Sequence, residues 1–359
     1  MAQNTIYSGR EFKVFVNTDL VNANGVGTFN SATDTTWKQV DVDSVSFPSF
    51  SPIQEFEMRT GSGRVAQFDS VFTTDKRVTT EFGLSGRIDA ATLPCFVESV
   101  TGIAAASDKV VIPTSYSPAS PMRDDTIGSA TEYSDTLSFY FAAPGGASIA
   151  DSYKLKGCVC TSLSLSADMD TASGRFQFDA TFQTQDPVSK GAVSTASMAG
   201  INGTKLFLSD LGIKILTLTG TVTSGGEIDA LWTSVGFTIE QPTQFLGSTG
   251  TNAECEVIAR GLPETTFTMN GTVKYDGDTD QIIESFRAAN ADNAVSIHMA
   301  NVTQAGSGSF NVASTGIGFD INKGKFTSAE VSPDDLAVIN FEVKALDDGT
   351  NSVCEVLIA

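Results

Sequence analysis

Few residues of this chain have the types and spacing that chemistry requires. The only histidine is His298, so a Ser-His-Asp or Cys-His triad would have to use it. His298 lies in the apolar segment 295–299, which is typical of a strand, and no G-x-S-x-G turn accompanies it. We therefore interpret His298 as a core or interface residue.

An acidic cluster at residues 276–280 (DGDTD) resembles the opening of a calcium-binding loop. Such a loop needs glycine and glutamate at the positions where this chain has Gln281 and Arg287. Asp278 instead has the spacing to cap a helix, with Gln281 three residues later in the capping-box position. The cluster therefore predicts the start of a helix and no calcium site.

The five cysteines do not form a ligand set. Cys158 and Cys160 would share one face of a strand, but no second Cys/His pair completes a zinc site. An odd, scattered set of cysteines indicates free thiols in a reducing compartment. The glycine-rich turns at 61–63 and 306–308 lack phosphate-binding spacing. The sequence predicts no catalytic residue, no metal and no cofactor.

Charge excludes another class of site. The 22 basic residues are outnumbered by 42 acidic ones, and the formal net charge is −20. Both halves of the sequence are acidic, whereas proteins that grip nucleic acid cluster lysine and arginine. No signal peptide or membrane-spanning run is recognisable, so we expect a soluble protein made in the cytoplasm, with no membrane partner.

The sequence is organised around a segment that occurs twice. Residues 80–86 (TEFGLSG) match residues 265–271 (TTFTMNG), and a Glu-Ser pair follows each at a similar distance. Period-2 alternation followed by i, i+3, i+4 spacing predicts a strand leading into a helix in each copy. The predicted core of the repeat is Phe82, Leu84, Phe96, Val97, Phe267, Met269, Ile282, Ile283 and Phe286.

Two further matches occur in the same order. Residues 13–17 (KVFVN) resemble 205–209 (KLFLS), and residues 44–47 (SVSF) match 234–237 (SVGF). Matches in the same order indicate a tandem duplication. We predict a mainly β protein with a first domain at 1–190, a linker at 191–203 and a second domain at 204–359. Each domain is expected to be a β-sandwich or barrel with one flanking α-helix.

Between two predicted strands of the first half lies a long excursion, residues 48–76. It reads as an extended hairpin or arm with its tip at 61–63, and residues 240–263 form a shorter equivalent. Its apolar side chains must be covered either by their own domain or by a neighbouring subunit. The predicted contact residues are Phe50, Glu55, Phe56, Glu57, Met58, Arg59 and Arg64.

Together these features resemble the major tail tube protein of long-tailed bacteriophages, in the variant whose chain contains two tube domains. The resemblance rests on the strand 44–47 before the arm, the arm motif EMRTGSGR, and the strand–helix unit at 79–100. It also rests on the strand motifs at 157–165 and 178–184, and on residues 258–289 of the second half.

The resemblance implies an assembly. Tube domains form six-membered rings whose inner sheets close into a barrel, so a two-domain chain would form homotrimers with pseudo-sixfold symmetry. The rings would stack into the tail of a virion assembled in the host cytoplasm, with the arm reaching the next ring. Double-stranded DNA would pass through an acidic lumen without specific binding, and tape-measure, tail terminator and distal tail proteins would be partners.

Other classes stay open on sequence grounds. Within structural assemblies these are a capsid decoration protein, a tail completion protein, or the tube of a contractile secretion apparatus. A tandem carbohydrate-binding or adhesin module would need exposed aromatic residues on loop ends, yet the two tryptophans, Trp37 and Trp232, lie in strand-like sequence. An enzyme has the least support because no constellation of reactive residues is present.

Overall fold

The protein is mainly β in a computed structural model, with one α-helix among the residues described. The described residues are 12–18, 20–21, 27–28, 37–47, 54–56, 71–73, 79–103, 109–112, 123–124, 136–143, 152–185, 188–191, 198–201, 203–219, 230–246, 257–261, 264–273, 293–301, 317–332, 338–347, 349 and 352–358.

The first half contains the helix α1 (Leu93–Thr101) and fourteen strands. They are β1 (Lys13–Thr18), β2 (Leu20–Val21), β3 (Gly27–Thr28), β4 (Trp37–Ser46), β5 (Gln54–Phe56), β6 (Val71–Thr73), β7 (Thr80–Arg87), β8 (Lys109–Ile112), β9 (Arg123–Asp124), β10 (Leu137–Ala142), β11 (Tyr153–Asp168), β12 (Gln177–Thr184), β13 (Ser189–Lys190) and β14 (Met198–Ala199).

The second half contributes nine strands. They are β15 (Leu211–Thr219), β16 (Ala230–Glu240), β17 (Thr243–Leu246), β18 (Val257–Arg260), β19 (Glu264–Val273), β20 (Asn293–Asn301), β21 (Ile317–Ser332), β22 (Val338–Ala345) and β23 (Cys354–Ile358).

Six strands of the first half close into a barrel. Their order is β10-β1-β4-β7-β12-β11, and β11 pairs back onto β10. Buried side chains alternate with more exposed ones along strands such as β7 and β12, as expected for strands with one face toward the core. In β7 the side chains of Thr80, Phe82 and Leu84 are buried, and those of the residues between them are not. Closure also removes the unpaired backbone groups that an open sheet would expose.

The barrel interior is held by packed aromatic rings. Phe82 stacks on Phe182 with ring centroids 5.3 Å apart, and Phe139 meets Phe182 edge-on at 4.8 Å. Phe96 reaches the same cluster from the helix, 5.4 Å from Phe182. Because ring pairs of this kind add stabilisation beyond simple burial, the cluster fixes how helix and barrel fit together.

Helix α1 begins at Leu93, within the strand–helix unit predicted at residues 79–100. Pro94 lies in its first turn, where a missing amide proton costs nothing. A carboxylate oxygen of buried Asp89 accepts hydrogen bonds from the amides of Ala91 and Thr92 and from the Thr92 hydroxyl. Gly102, at φ 66°, ends the helix in the left-handed conformation that glycine adopts without strain.

The second half repeats the strand order of the first. Its main path is β16-β19-β22-β21-β20-β15. The six strands of each half can be matched one to one in chain order: β15, β16, β19, β20, β21 and β22 with β1, β4, β7, β10, β11 and β12. Matched in this way, the strands follow one another around the sheet in the same cyclic order in both halves. The difference among the described strands is that β15 does not pair with β16, so this sheet stays open where the barrel closes. The helix predicted near residues 280–289 lies outside the described residues.

Registers and bulges repeat as well. The β4–β7 pairing is interrupted between Val42 and Ser44, and the β16–β19 pairing between Trp232 and Ser234. Both interruptions lie immediately before the matched sequences SVSF and SVGF. A second pair of bulges falls at Thr161 in β11 and at Thr327 in β21.

The match between residues 13–17 and 205–209 was wrong. Residues 205–209 form isolated bridges to Asp89 and Arg175 of the first half and then a 3-10 turn. Leu206 and Leu208 are buried there, next to Phe176 and Gly174 of the first half. The strand in the position of β1 is β15, which begins at Leu211.

The two halves share one sheet of sixteen strands. β11 pairs with β16 along seven residues. The strand β23 pairs with β21 of the second half and also with β8 of the first half. Within the predicted linker, β14 adds in parallel to β4. The sequence assigned residues 204–208 to the second half, but they pack on the first.

Phe82→Ala should destabilise the protein by about 3–5 kcal/mol, because it removes the central ring of the aromatic cluster. The measurement is urea unfolding followed by near-UV circular dichroism. The control is Glu81→Ala on the neighbouring exposed position, which should change stability by less than about 1 kcal/mol. Equal losses for both variants would contradict the assigned core.

Candidate functional site

The residues first considered for chemistry do not come together. His298 belongs to β20 and lies opposite Lys214 and Asp320 in the sheet register. Cys95, Cys158, Cys160 and Cys354 are buried free thiols, and burial raises the pKa of Cys95, Cys160 and Cys354. A raised thiol pKa lowers the thiolate fraction that could attack or bind a metal.

Metal-binding clusters are likewise absent from the part of the chain that the structure describes: no three His, Cys, Asp or Glu side chains converge there. The acidic stretch 276–280 lies outside the described residues. The candidate functional site is a surface of the main sheet.

That surface is one side of eight adjacent strands, four from each half. Their order is β4-β7-β12-β11-β16-β19-β22-β21. One side of these strands carries buried residues such as Leu84, Phe182 and Phe237. The opposite side, which we call the polar face, carries the alternate residues.

Sheet register places the polar-face residues in rows across both halves. In one row Ser85, Asp179 and Ser164 lie side by side, and the row continues through Thr238 and Thr266. The Thr238 hydroxyl donates to the Ser164 hydroxyl across the junction between the halves, at 3.2 Å. Small hydroxyl and amide side chains fill most of this face, so it is polar but presents few groups that could hold a ligand.

The charged residues of the polar face and its rim are mostly acidic. Two ion pairs neutralise part of the charge: Lys344 with Glu264 at 2.9 Å and Arg175 with Asp41 at 3.2 Å. The acidic residues are Asp41, Glu81, Asp168, Asp179, Glu240, Glu264, Glu330 and Glu342. The basic residues are Arg87, Arg175, Lys325 and Lys344.

The eight carboxylates outnumber the four cations by four on each chain. Such a face repels phosphate groups and offers no cluster of lysine and arginine for binding them.

The predicted arm is described at its base. β5 and β6 pair antiparallel, with Glu55 opposite Phe72 and Phe56 opposite Val71, as the two sides of a hairpin would. The positions of the Glu55 and Phe56 side chains are not described. Phe50, Glu57, Met58, Arg59 and Arg64 lie outside the described residues.

The predicted core residues of the first repeat are all buried. Phe82 and Leu84 are each 1% exposed, and Phe96 and Val97 are fully covered. In the second repeat, Phe267 and Met269 lie in β19 opposite Phe237 and Val235. Ile282, Ile283 and Phe286 lie outside the described residues.

Sequence reasoning missed the contact between the halves. The Arg260 guanidinium, from β18, donates to the Ser99 carbonyl of α1 and to the Gln241 side chain at 3.1 Å. The side chain packs against Gly102, where an added Cβ would lie 2.9 Å from it. In the sequence, Arg260 lies within a segment that contributes to the resemblance, and its spacing alone indicates no role for the arginine.

No protein-family model matches this chain, and no curated protein matches it significantly. Among the described residues no helix is both long and apolar enough to cross a membrane. The polar face and the repeated strand order are the features of the molecule that bear on its function.

Glu240→Gln should stabilise the protein by about 0.2–1 kcal/mol at low salt, because Glu240 lies directly opposite Glu264 and like charges in that position repel. The measurement is urea unfolding at low and high salt, and the gain should shrink as salt screens the pair. Glu330→Gln is the control, since its neighbour in β22 is Asn340. A salt-independent loss of stability in Glu240→Gln would contradict this description of the face.

Proposed function

We propose that this protein is a structural tube subunit, of the kind that forms the tail tube of long-tailed bacteriophages, and that its polar face lines the channel. The observation that supports this most directly is the continuous eight-stranded face, built from two halves of the same strand order that join edge to edge. A single enzyme site or a compact binding module has no need for such an extended wall.

The strand count fits a channel of the right size. Three chains of eight strands would place 24 strands around the axis. At a spacing of about 4.8 Å the circumference is about 115 Å and the diameter between opposite backbones about 37 Å. Strand tilt widens this further, and side chains narrow it. Double-stranded DNA fits within such a tube.

The chemistry of the face suits passage without binding. Its hydroxyl and amide groups are neutral, and its excess of carboxylates repels the phosphate backbone. Strong attraction would hold the genome in place, because neutralising each phosphate releases counterions and adds affinity. The overall charge of −20 agrees in sign with this role.

The arm provides contacts along the tube axis. Its base is the β5–β6 hairpin, and the residues predicted for its outer part, including Phe56, Met58 and Arg59, would dock on the next ring. In this proposal the assembled particle is a virion tail built of homotrimers. The tape-measure, terminator and distal tail proteins would be its partners, and it needs no cofactor.

Negative-stain electron microscopy of the concentrated protein should show hollow rings or tubes with threefold symmetry. Sedimentation of the same sample should give species larger than the 37.7 kDa monomer. Monodisperse monomer at all concentrations, with no ring in the micrographs, would count against the tube. It would favour a decoration protein or a tandem carbohydrate-binding module.

Removing the excess of carboxylates from the polar face should increase DNA binding. Glu81→Lys with Asp179→Lys replaces two carboxylates by two lysines and raises the net charge of the face from −4 to 0 on each chain, so we expect more salt-dependent retention of double-stranded DNA than with the unmodified protein. The measurement is gel mobility at several salt concentrations. Asp170→Lys with Asp347→Lys makes the same change in net charge at exposed positions off the face. Equal binding by both variants would show that net charge alone matters.

A further inference from the structure

The junction between the two halves is an antiparallel strand pair. β11 and β16 pair from Ser162 opposite Glu240 to Asp168 opposite Ser234. Phe237 and Ile239 of β16 are buried in this junction, as are Leu163 and Leu165 of β11. One half therefore binds the other through backbone hydrogen bonds and an apolar layer beneath them.

The repeated bulges identify which residues at the two outer edges of the eight-stranded face correspond to residues of the junction. Thr161 of β11 and Thr327 of β21 occupy the same bulge, and each hydroxyl donates to a backbone carbonyl of the adjacent strand, that of Thr181 or Glu342. Ser44 of β4 likewise matches Ser234 of β16. β21 therefore corresponds to β11, and β4 corresponds to β16.

Both corresponding edges are unpaired within the part of the chain that the structure describes. Residues 44–46 of β4 pair with β7 on one side, and no described strand lies on the other. Residues 328–332 of β21 pair with β22 on one side and with no described strand on the other. Exposed edges of this kind are templates for strand addition.

Phe47 indicates that the β4 edge becomes covered. Its counterpart Phe237 is 1% exposed, pairs opposite Leu165 in the junction and stacks on Phe319 at 4.0 Å. Phe47 is 41% exposed at the unpaired edge, although its ring packs against those of Phe12 and Phe141, with ring centroids 5.5 Å apart in each pair. The same aromatic residue is thus buried where a neighbouring half is present and exposed where none is.

We infer that the edge of β21 in one chain pairs antiparallel with the edge of β4 in a second copy, in the register of the β11–β16 junction. Transferring Ser166 opposite Gly236 and Leu165 opposite Phe237 places Ser332 opposite Ser46 and Val331 opposite Phe47. This inference rests on the proposed function and names the strands through which the ring closes.

The contact is heterologous, because two different edges meet. Contacts of this type propagate from copy to copy and close into a ring when the rotation per copy allows. In the trimer, three junctions within chains would alternate with three junctions between chains. Each junction carries the same bulge and the same kind of aromatic residue.

A disulfide cross-link tests the register. Ser46→Cys with Ser332→Cys, in a Cys255→Ser background, should give covalent dimers and trimers under mild oxidation, and the ladder should end at the trimer. The four remaining native cysteines are buried and should not react. Ser164→Cys with Thr238→Cys, whose hydroxyls lie 3.2 Å apart within one chain, is the positive control and should form an intrachain bond.

Ser46→Cys with Ser328→Cys is the register control. Ser328 lies four residues from Ser332, about 13 Å along the strand, too far for a disulfide. Equal cross-linking by both pairs would overturn the inferred register. Rings seen by microscopy without a Ser46–Ser332 cross-link would overturn the inference while leaving the tube intact. The absence of both rings and cross-links would remove the tube as well.

A charged edge tests the same contact without cysteines. Phe47→Lys should shift sedimentation from trimer to monomer, because a lysine at an edge opposes strand addition. Ile201→Lys replaces an apolar residue of equal exposure, 42% against 41%, and should leave the trimer intact. Circular dichroism checks that both variants fold. A folded Phe47→Lys protein that remains trimeric would contradict the inference.

Discussion

The structure depends on satisfying the backbone groups at strand edges. A strand edge exposed to water presents a row of donors and acceptors that attracts other strands, and this chain has many strands but one described helix to cover them. The first half solves the problem by closing six strands into a barrel. Beyond the barrel, the backbone groups at a strand edge of one half form hydrogen bonds with the other half: the edge of β11 pairs with β16.

Bulges allow the long strands to serve two sheets. β11 pairs through its first residues with β10 inside the barrel, and beyond Thr161 it pairs with β16 in the polar face. A bulge increases the local twist and bends the strand, so one strand can leave a closed barrel and enter a flatter wall. The threonine hydroxyl at the bulge donates to a carbonyl of the neighbouring strand. β21 carries the same feature at Thr327, and both strands are sixteen residues long.

Much of the local architecture was predictable from the sequence because burial alternates with period two. β7 and α1 were predicted from apolar spacing, as a strand leading into a helix. The match of 13–17 to 205–209 failed because it relied on strand-like composition. Leu206 and Leu208 have that composition but are buried against the first half, which only tertiary packing decides. The joining of β11 to β16 was not predictable, since edge pairing depends on register and not on hydrophobic pattern.

If the polar face lines a channel, as proposed, its residues would be hard to find in the sequence. Catalytic sites stand out because a few reactive groups converge with unusual spacing. The proposed channel wall would need the opposite: small neutral side chains such as Ser164 and Thr238, and a modest excess of carboxylates spread over many strands. In the sequence these residues are simply the polar half of each alternating strand. Their common role emerges only when the register aligns them across both halves. Phe47, which is exposed at the edge of β4, lies where the proposed contact with a second copy would form.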